Sequence, residues 1–467
     1  MATLEHPAVS NEEEKKKKTC DSLPDELLLQ VFSHLELSEG SPPSMRKFDQ
    51  EPSFHLTSAP ETPLKDLSTV CQRWRRILLP QLFEYSRIKL SSCSEWLVFS
   101  EDLLRYCRHH INGRPGRTEN EDDIIRSLEL FLDGSVPFSP DRNALPIRLI
   151  RQNDSYMRKS PKHFRKWIPC TDGTVSDFLS FVAQKDISKY VKSLVVLAGT
   201  AMEDFSEIPY NCAAREVENL WRTVFGALKP ERVVVVAPPA TMALLAESRM
   251  ATTQAWAFEM PYHYLEFSKP RILDNPANSP DSGRRKSPSS PYHLCLHNCL
   301  NWTHLSYNEG SSVPAYALYE YFNYAPPQIL YHILLWISKE LQTPSRVGLE
   351  SLKLVSIFPF GRHVGDMLGP LTSMKTLKSL ELKLSPDKDS DVLDDNRMGK
   401  ADRNDCWQEL NRSYSAVVSF LRKMRPETGF ELKVQDYTWE TLEQELDRIL
   451  GQLANWRKES GKIWTPP

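Results

Sequence analysis

Glycine is scarce in this chain, at 17 of 467 residues. None of it falls into a phosphate-cradling G-x-x-x-x-G-K-[ST] loop or a dinucleotide-binding G-x-G-x-x-G turn, so the two commonest nucleotide fingerprints are missing. The nine cysteines are odd in number and never form a C-x-x-C pair. In so long a chain they read as free thiols of a reducing compartment. A G-x-S-x-G elbow for serine hydrolysis is also lacking. No window approaches the roughly 18 apolar residues that span a bilayer. The beginning of the chain runs polar into Glu12 to Lys18, with no apolar core of the secretory type. These absences predict a cytoplasmic and/or nuclear protein without a membrane partner. Lys15 to Lys18 read as part of a solvated tail ahead of a nuclear-import signal. The net charge of -3 provides no basic field for nucleic acid, so no nucleic-acid partner is expected. A hydrophobic content of 40% and a charged content of 25% are ordinary for globular protein, and the length allows two to three domains.

What is present begins with Asp21-Ser22-Leu23-Pro24-Asp25-Glu26-Leu27-Leu28. Pro24 suits the first turn of a helix, where its missing N–H costs nothing, and Asp25 and Glu26 place negative charge at the favourable end of the helix dipole. Leu27, Leu28, Val31, Phe32 and Leu35 follow as one apolar stripe at helical period. About three turns cannot hold a helix alone, so this stripe must be buried by something else. A second helix is predicted over 64–79, between Pro63 and Pro80. Leu64, Leu67, Val70, Cys71, Trp74, Ile77 and Leu78 make its apolar face, with Arg73, Arg75 and Arg76 largely off it.

Leu23, Pro24, Glu26, Leu27, Leu28, Val31, Phe32 and Leu35, followed in order by Leu64, Leu67, Val70, Cys71, Trp74 and Ile77, resemble the F-box. The resemblance implies a compact helical domain whose one face packs on the Skp-type adaptor of SCF ubiquitin ligases, with the adaptor bridging to cullin. It implies adaptor binding by Leu23, Pro24, Leu27, Leu28, Val31, Phe32, Leu35, Leu64, Leu67, Val70, Cys71, Trp74 and Ile77. Leu23, Pro24, Leu27, Leu28, Val31 and Trp74 lead that set. Some of these residues must instead form the domain's own core, and the sequence does not separate the two groups. One departure from the family is the long connection at 36–63, rich in Ser, Pro and Glu. Its composition predicts an extruded, disordered loop, which a fold tolerates because each doubling of loop length costs only about 0.6 kcal/mol.

Beyond the F-box at 21–90, short apolar runs at 127–132, 193–197, 232–236, 305–307, 349–354 and 377–384 predict strands. Helices are predicted between them at 213–228, 326–341, 406–424 and 439–457. A Leu-x-Ser-Leu-x-Leu flavour recurs, spaced unevenly against the roughly 20–29 residues of regular leucine-rich repeats. The expected fold class is therefore α+β: an N-terminal helical F-box, then an irregular leucine-rich-repeat-like α/β solenoid over 91–460 that captures a target protein. The competing reading is a non-repeating α/β domain. Residues 1–20 read as a disordered tail, and 278–291 and 387–405 as disordered loops; Ser287 and Ser290 in the former each precede proline.

No metal or other cofactor is expected. His293, Cys295, His297 and Cys299 alternate, but on a strand the outer two would sit ~20 Å apart, too far to share one zinc. Cys107-Arg108-His109-His110 lacks a spaced partner pair. The aromatic run from Tyr316 to Tyr324 reads as core packing ahead of a recognition pocket. The reading is thus a non-enzymatic ligase subunit. Two alternatives stay open: an F-box scaffold acting outside a ligase, and an enzyme in the C-terminal region.

Overall fold

Strand runs that alternate along the chain place every second side chain on one face of a sheet, and that alternation organises the protein. The computed structural model describes residues 23–36, 49, 52–53, 63–90, 93–97, 101–112, 115–116, 118–133, 165–169, 174–199, 210–248, 254–258, 261–269, 296, 300–340, 348–424, 429–438, 440–453 and 456–466. The strands are β1 (Tyr85–Lys89), β2 (Cys93–Leu97), β3 (Arg165–Pro169), β4 (Ser193–Leu197), β5 (Arg232–Ala237) and β6 (His263–Ser268), then β7 (His304–Ser311), β8 (Ser351–Ile357), β9 (Ser379–Lys383), β10 (Glu431–Val434), β11 (Arg457–Ser460) and β12 (Ile463–Thr465). The first helices are α1 (Asp25–Glu36), α2 (Pro63–Val70), α3 (Gln72–Glu84), α4 (Glu101–Asn112), α5 (Glu119–Leu132) and α6 (Thr174–Gln184). They are followed by α7 (Tyr210–Ala227), α8 (Pro239–Leu245), α9 (Ile329–Glu340), α10 (Gly361–Leu368), α11 (Arg403–Lys423) and α12 (Glu440–Leu450).

Ten strands form one sheet in the order β1-β4-β5-β6-β7-β8-β9-β10-β12-β11, and β2 pairs with β3 separately. Register aligns Leu194, Val233, Phe267, Leu305, Leu352, Leu380, Leu432 and Trp464 in one row. A second row holds Val196, Val235, Leu265, Tyr307, Leu354, Leu382 and Val434. Both rows lie in one core with Val217 and Trp221 of α7, Ile333 and Ile337 of α9, Leu410 and Tyr414 of α11, and Leu446 of α12. The helices thus cover one face of the sheet. The opposite face runs from Val195 and Val234 through Glu266 and Ser306 to Lys353, Glu381 and Lys433.

The tightest helix contact is at Gly361, whose N–H donates to Glu409 at 2.8 Å. A Cβ there would lie 2.6 Å from Arg412 Cβ and 2.9 Å from the Arg412 carbonyl carbon. Gly361→Ala must therefore push α10 off α11, and a loss of about 2 kcal/mol is expected. A urea midpoint that falls with an unchanged slope checks it.

Several expectations change. The leucine-rich-repeat-like solenoid meets a sheet whose strands follow sequence order, with β4-β5 and β7-β8-β9-β10 parallel. However, β6 runs antiparallel to both neighbours and a β11-β12 hairpin closes the end. What the structure shows is α+β with a ten-stranded mixed sheet. The strand expected at 127–132 is the end of α5, because Ile124, Ile125 and Leu128 bury one helical stripe against Leu103, Cys107 and Ile111 of α4. Thr118 opens that helix: its N–H donates to the Glu121 carboxylate at 3.0 Å, one half of a capping box, and its carbonyl accepts from the Glu121 N–H.

The helix expected at 64–79 is two helices. Cys71 interrupts it in extended conformation (φ -154°, ψ 164°), with its Sγ capping the Trp74 N–H. Pro80 then sits inside α3 rather than ending it. The helix expected to reach 457 stops at Leu450, where Gly451 and a turn lead into β11. Residues 387–405 carry a 3-10 turn at Asp391–Leu393 and a helical turn at Asp395–Met398, because Val392 and Met398 are buried among the surrounding charges. The tail at 1–20 and the segment at 278–291 lie outside the described residues. Among the described residues, no helix is long and apolar enough to cross a membrane.

Candidate functional site

The three helices α1, α2 and α3 pack around their own small core of Leu28, Phe32, Leu64, Ile77 and Leu78. Trp74 meets Phe32 edge-on, with ring centroids 5.0 Å apart. The first α1 hydrogen bond runs from the Leu28 N–H to the Pro24 carbonyl at 3.1 Å, as expected for a proline opening a helix. Asp25 then clamps α1 to α3. Its Oδ1 accepts from Arg73 Nη2 at 2.6 Å and Nε at 2.9 Å, and its Oδ2 accepts from Arg76 at 3.2 Å. Arg73 also donates to the Leu23 carbonyl at 2.6 Å. The Arg73 hydrogen bond, ahead of the opposing effect of burial, holds the Asp25 carboxyl below its usual range. The adaptor-binding set read from the sequence contains neither Asp25 nor Arg73; one of two acids at a helix start and an arginine beside an apolar stripe are the signals that could point to them.

This arrangement sorts the candidate residues. Leu28, Phe32, Leu64 and Ile77 lie inside the helical core. Leu23, Leu67, Cys71 and Trp74 are half-buried, and Pro24 is exposed. Leu27, Val31 and Val70 stand out, at 45%, 50% and 62% exposure. The Leu35 side chain lies outside the described ones.

Elsewhere, Cys107 is buried in α4, which pushes its thiol up to about 11, while His110 Nδ1 lies 3.1 Å from the Tyr106 carbonyl. Among the described residues, no three His, Cys, Asp or Glu side chains are grouped to hold a metal ion. Of the segment 293–299, only Leu296 is described. The aromatic run divides: Tyr316 is buried and donates to the Phe358 carbonyl at 2.9 Å, whereas Tyr319 and Phe322 are 87% and 66% exposed. Phe322 borders a cavity of about 300 Å³, along with Tyr324, Phe360, His363, Asp366 and Glu409. Among the described residues, Glu309, His363, Ser356, His263 and Tyr307 form an enclosed polar cluster that ties strands to α10.

Comparison with protein families matches residues 20–87 to the F-box-like model. The match takes in all three helices and the start of β1. Comparison with curated proteins and with solved structures gives no match.

Proposed function

Since the chain carries an F-box-like domain at residues 20–87, we propose that it is the substrate-recognition subunit of an SCF-type cullin ubiquitin ligase. The observation that carries this reading is the apolar stripe of Pro24, Leu27 and Val31 along α1, exposed among the described residues, with Val70 of α2 exposed as well. This face docks the Skp-type adaptor, with Leu23, Leu67, Cys71 and Trp74 at its flank. Leu28, Phe32, Leu64 and Ile77 hold it in shape from within. Through the adaptor the protein reaches cullin. It is a non-catalytic subunit, acting by proximity in the cytoplasm and/or nucleus.

The sheet domain binds the target protein. A divergent leucine-rich-repeat-like character for it is supported by the sequential order of parallel strands under helices on one face. Among the described residues, the polar end of the other face, with Ser306, Lys353, Glu381 and Lys433, is where we place target recognition.

Adaptor binding by the full chain tests the proposal. Leu27→Asp with Val31→Asp places two charges on the exposed face, and affinity should fall by roughly tenfold or more with the unfolding midpoint unchanged. Failure of the unaltered chain to bind any Skp-type adaptor sinks the ligase role. Undiminished binding by the double variant sinks the face.

A further inference from the structure

Where parallel strands end together, the segments leaving them frame a crevice, and in open α/β sheets ligands settle there. Here β7 and β8 run parallel and end side by side, Ser311 against Ile357. On the other side of β7, β6 is antiparallel, so the sheet changes direction beside this pair. The cavity of about 300 Å³ lies beyond the two strand ends. Tyr321, Phe322 and Tyr324 reach it from the chain after β7, Phe360 and His363 from the chain after β8, and Glu409 from α11. Phe358 makes the turn out of β8 at φ +52°, a conformation that bulky side chains seldom adopt. Its N–H donates to the Leu384 carbonyl at 2.8 Å, and its carbonyl accepts from the Tyr316 hydroxyl at 2.9 Å, so the turn is held from both sides.

The lining is aromatic and acidic. The Tyr321 ring lies 5.8 Å from that of Phe322 and 5.6 Å from that of Phe360, centroid to centroid. Glu409 is buried and fixed, by Arg412 on one oxygen and by the Gly361 N–H at 2.8 Å on the other. Asp366 is exposed at the rim and pairs with no cation among the described residues. Burial pushes the Tyr321 phenol up, and the charges of Asp405 and Glu409 push it further against the opposing Arg412. The field at this ring is therefore negative. His363 adds an orphaned atom. Its Nε2 meets the Glu309 carboxylate, which does not border the cavity, while its Nδ1 is buried with no partner among the described residues. In the tautomer that donates its Nε2–H to Glu309, that nitrogen is an acceptor. Arg362, exposed at the same rim, is the charge that works against a cation.

Aromatic rings, an unpaired carboxylate and an acceptor nitrogen suit a planar cation with several N–H donors, which is a guanidinium. From Asp366 and Gln328 a shallow depression continues past Tyr331, Leu335 and Gly369, between α9 and α10. It gives a course for the backbone that carries the side chain. We propose that the cavity at the ends of β7 and β8 holds an arginine side chain of a partner protein, whose adjoining backbone lies in the depression between α9 and α10. This is a second contact, at the strand ends rather than on the polar face of the sheet. Its use in holding a ubiquitination target rests on the substrate-receptor reading; the preference of the cavity for a guanidinium does not.

Saturation-transfer NMR on the full chain tests it, with an end-blocked glycine pentapeptide carrying arginine at its centre. The same peptide with citrulline keeps the shape and loses the charge, and a third carries glutamate. The arginine peptide should bind roughly tenfold tighter than the citrulline peptide, and the glutamate peptide should not bind. Phe322→Ala removes an exposed ring and Asp366→Lys reverses the unpaired charge. Each should weaken the arginine peptide roughly fivefold and leave the urea midpoint unchanged. Arg362→Glu removes the opposing cation and should tighten the same peptide roughly twofold to threefold. Equal binding of arginine and citrulline, preference for glutamate, or weakening by Arg362→Glu overturns the proposal. So does binding that ignores both Phe322 and Asp366, or the lack of saturable arginine binding by the unaltered chain. No adaptor is present, so failure here leaves the ligase role standing, and failure of adaptor binding leaves this result standing.

Discussion

Asp436→Ala is expected to destabilise the sheet domain by about 4 kcal/mol. Asp436 follows β10 and is fully buried. Its Oδ2 accepts from the Leu384 N–H at 2.8 Å and from the Tyr414 hydroxyl, and its Oδ1 accepts from the Ser385 N–H at 3.1 Å. The carboxylate therefore joins the chain leaving β9 to the end of β10 and to α11. Burial pushes its pKa up, and the three donors pull against that shift without cancelling it. Alanine removes every acceptor at once and leaves two backbone N–H groups and a phenol unpaired in a dry interior, each costing about 1–3 kcal/mol. Asp436→Asn separates this account from simple loss of volume. Its oxygen can replace Oδ2, but its amide group then faces the Ser385 N–H, donor against donor. The asparagine variant should lose about half as much as alanine. Urea unfolding at neutral pH measures both; equal losses for the two variants would contradict the acceptor argument.

How much of this architecture can be read from the chain depends on the distance over which each pattern is written. The stripe of Leu27, Val31 and their neighbours is local, so α1 and its apolar face are legible. The division of that stripe is not. Leu28 is interior and Leu27 exterior only because α3 packs where it does, and that position is set by Asp25 meeting Arg73 across 48 residues. The Leu-x-Leu runs of β8 and β9 announce strands because both members of each pair point into the same helical layer. In 127–132 the same flavour misleads: its last leucines mimic alternation, while the helical stripe starts upstream at Ile124 and its signal is the Thr118–Glu121 pair. Composition also misjudges 387–405, where two apolar side chains among many charges are enough to seat the segment. Least legible are the contacts of Asp49 with Lys353 and of Ser53 with Tyr264, because nothing local in the connection between α1 and α2 announces its place against the sheet.

The largest pH effect should come from His263. It lies fully buried on β6, with its Nδ1 2.5 Å from the Tyr307 hydroxyl on β7. Across the sheet, Glu309 accepts from the Ser356 hydroxyl and sits 3.1 Å from His363 Nε2, tying β7 to β8 and α10. Burial lowers the His263 pKa to about 4; Glu309 opposes this shift and His363 adds to it. The unfolded chain binds a proton at this histidine near its ordinary 6.5, and the folded chain refuses it until about 4. Within that window the unfolded state holds more protons, so stability falls as pH falls. The whole shift amounts to about 3 kcal/mol. Glu309 contributes differently. His363, Ser356 and His263 outweigh its burial and leave its pKa below the ordinary 4.5. Its stabilisation is present above that value and is lost as pH drops through the depressed pKa, mostly beneath the histidine window. His263→Gln keeps a polar partner for the Tyr307 hydroxyl but has no proton to gain. It should therefore be less stable than the unaltered protein at neutral pH, yet lose about 3 kcal/mol less on acidification from pH 6.5 to 4. Urea unfolding of both proteins at steps across that range gives the difference directly. Parallel profiles would mean that His263 is solvated enough to titrate normally, and that the polar network under the sheet is open rather than dry.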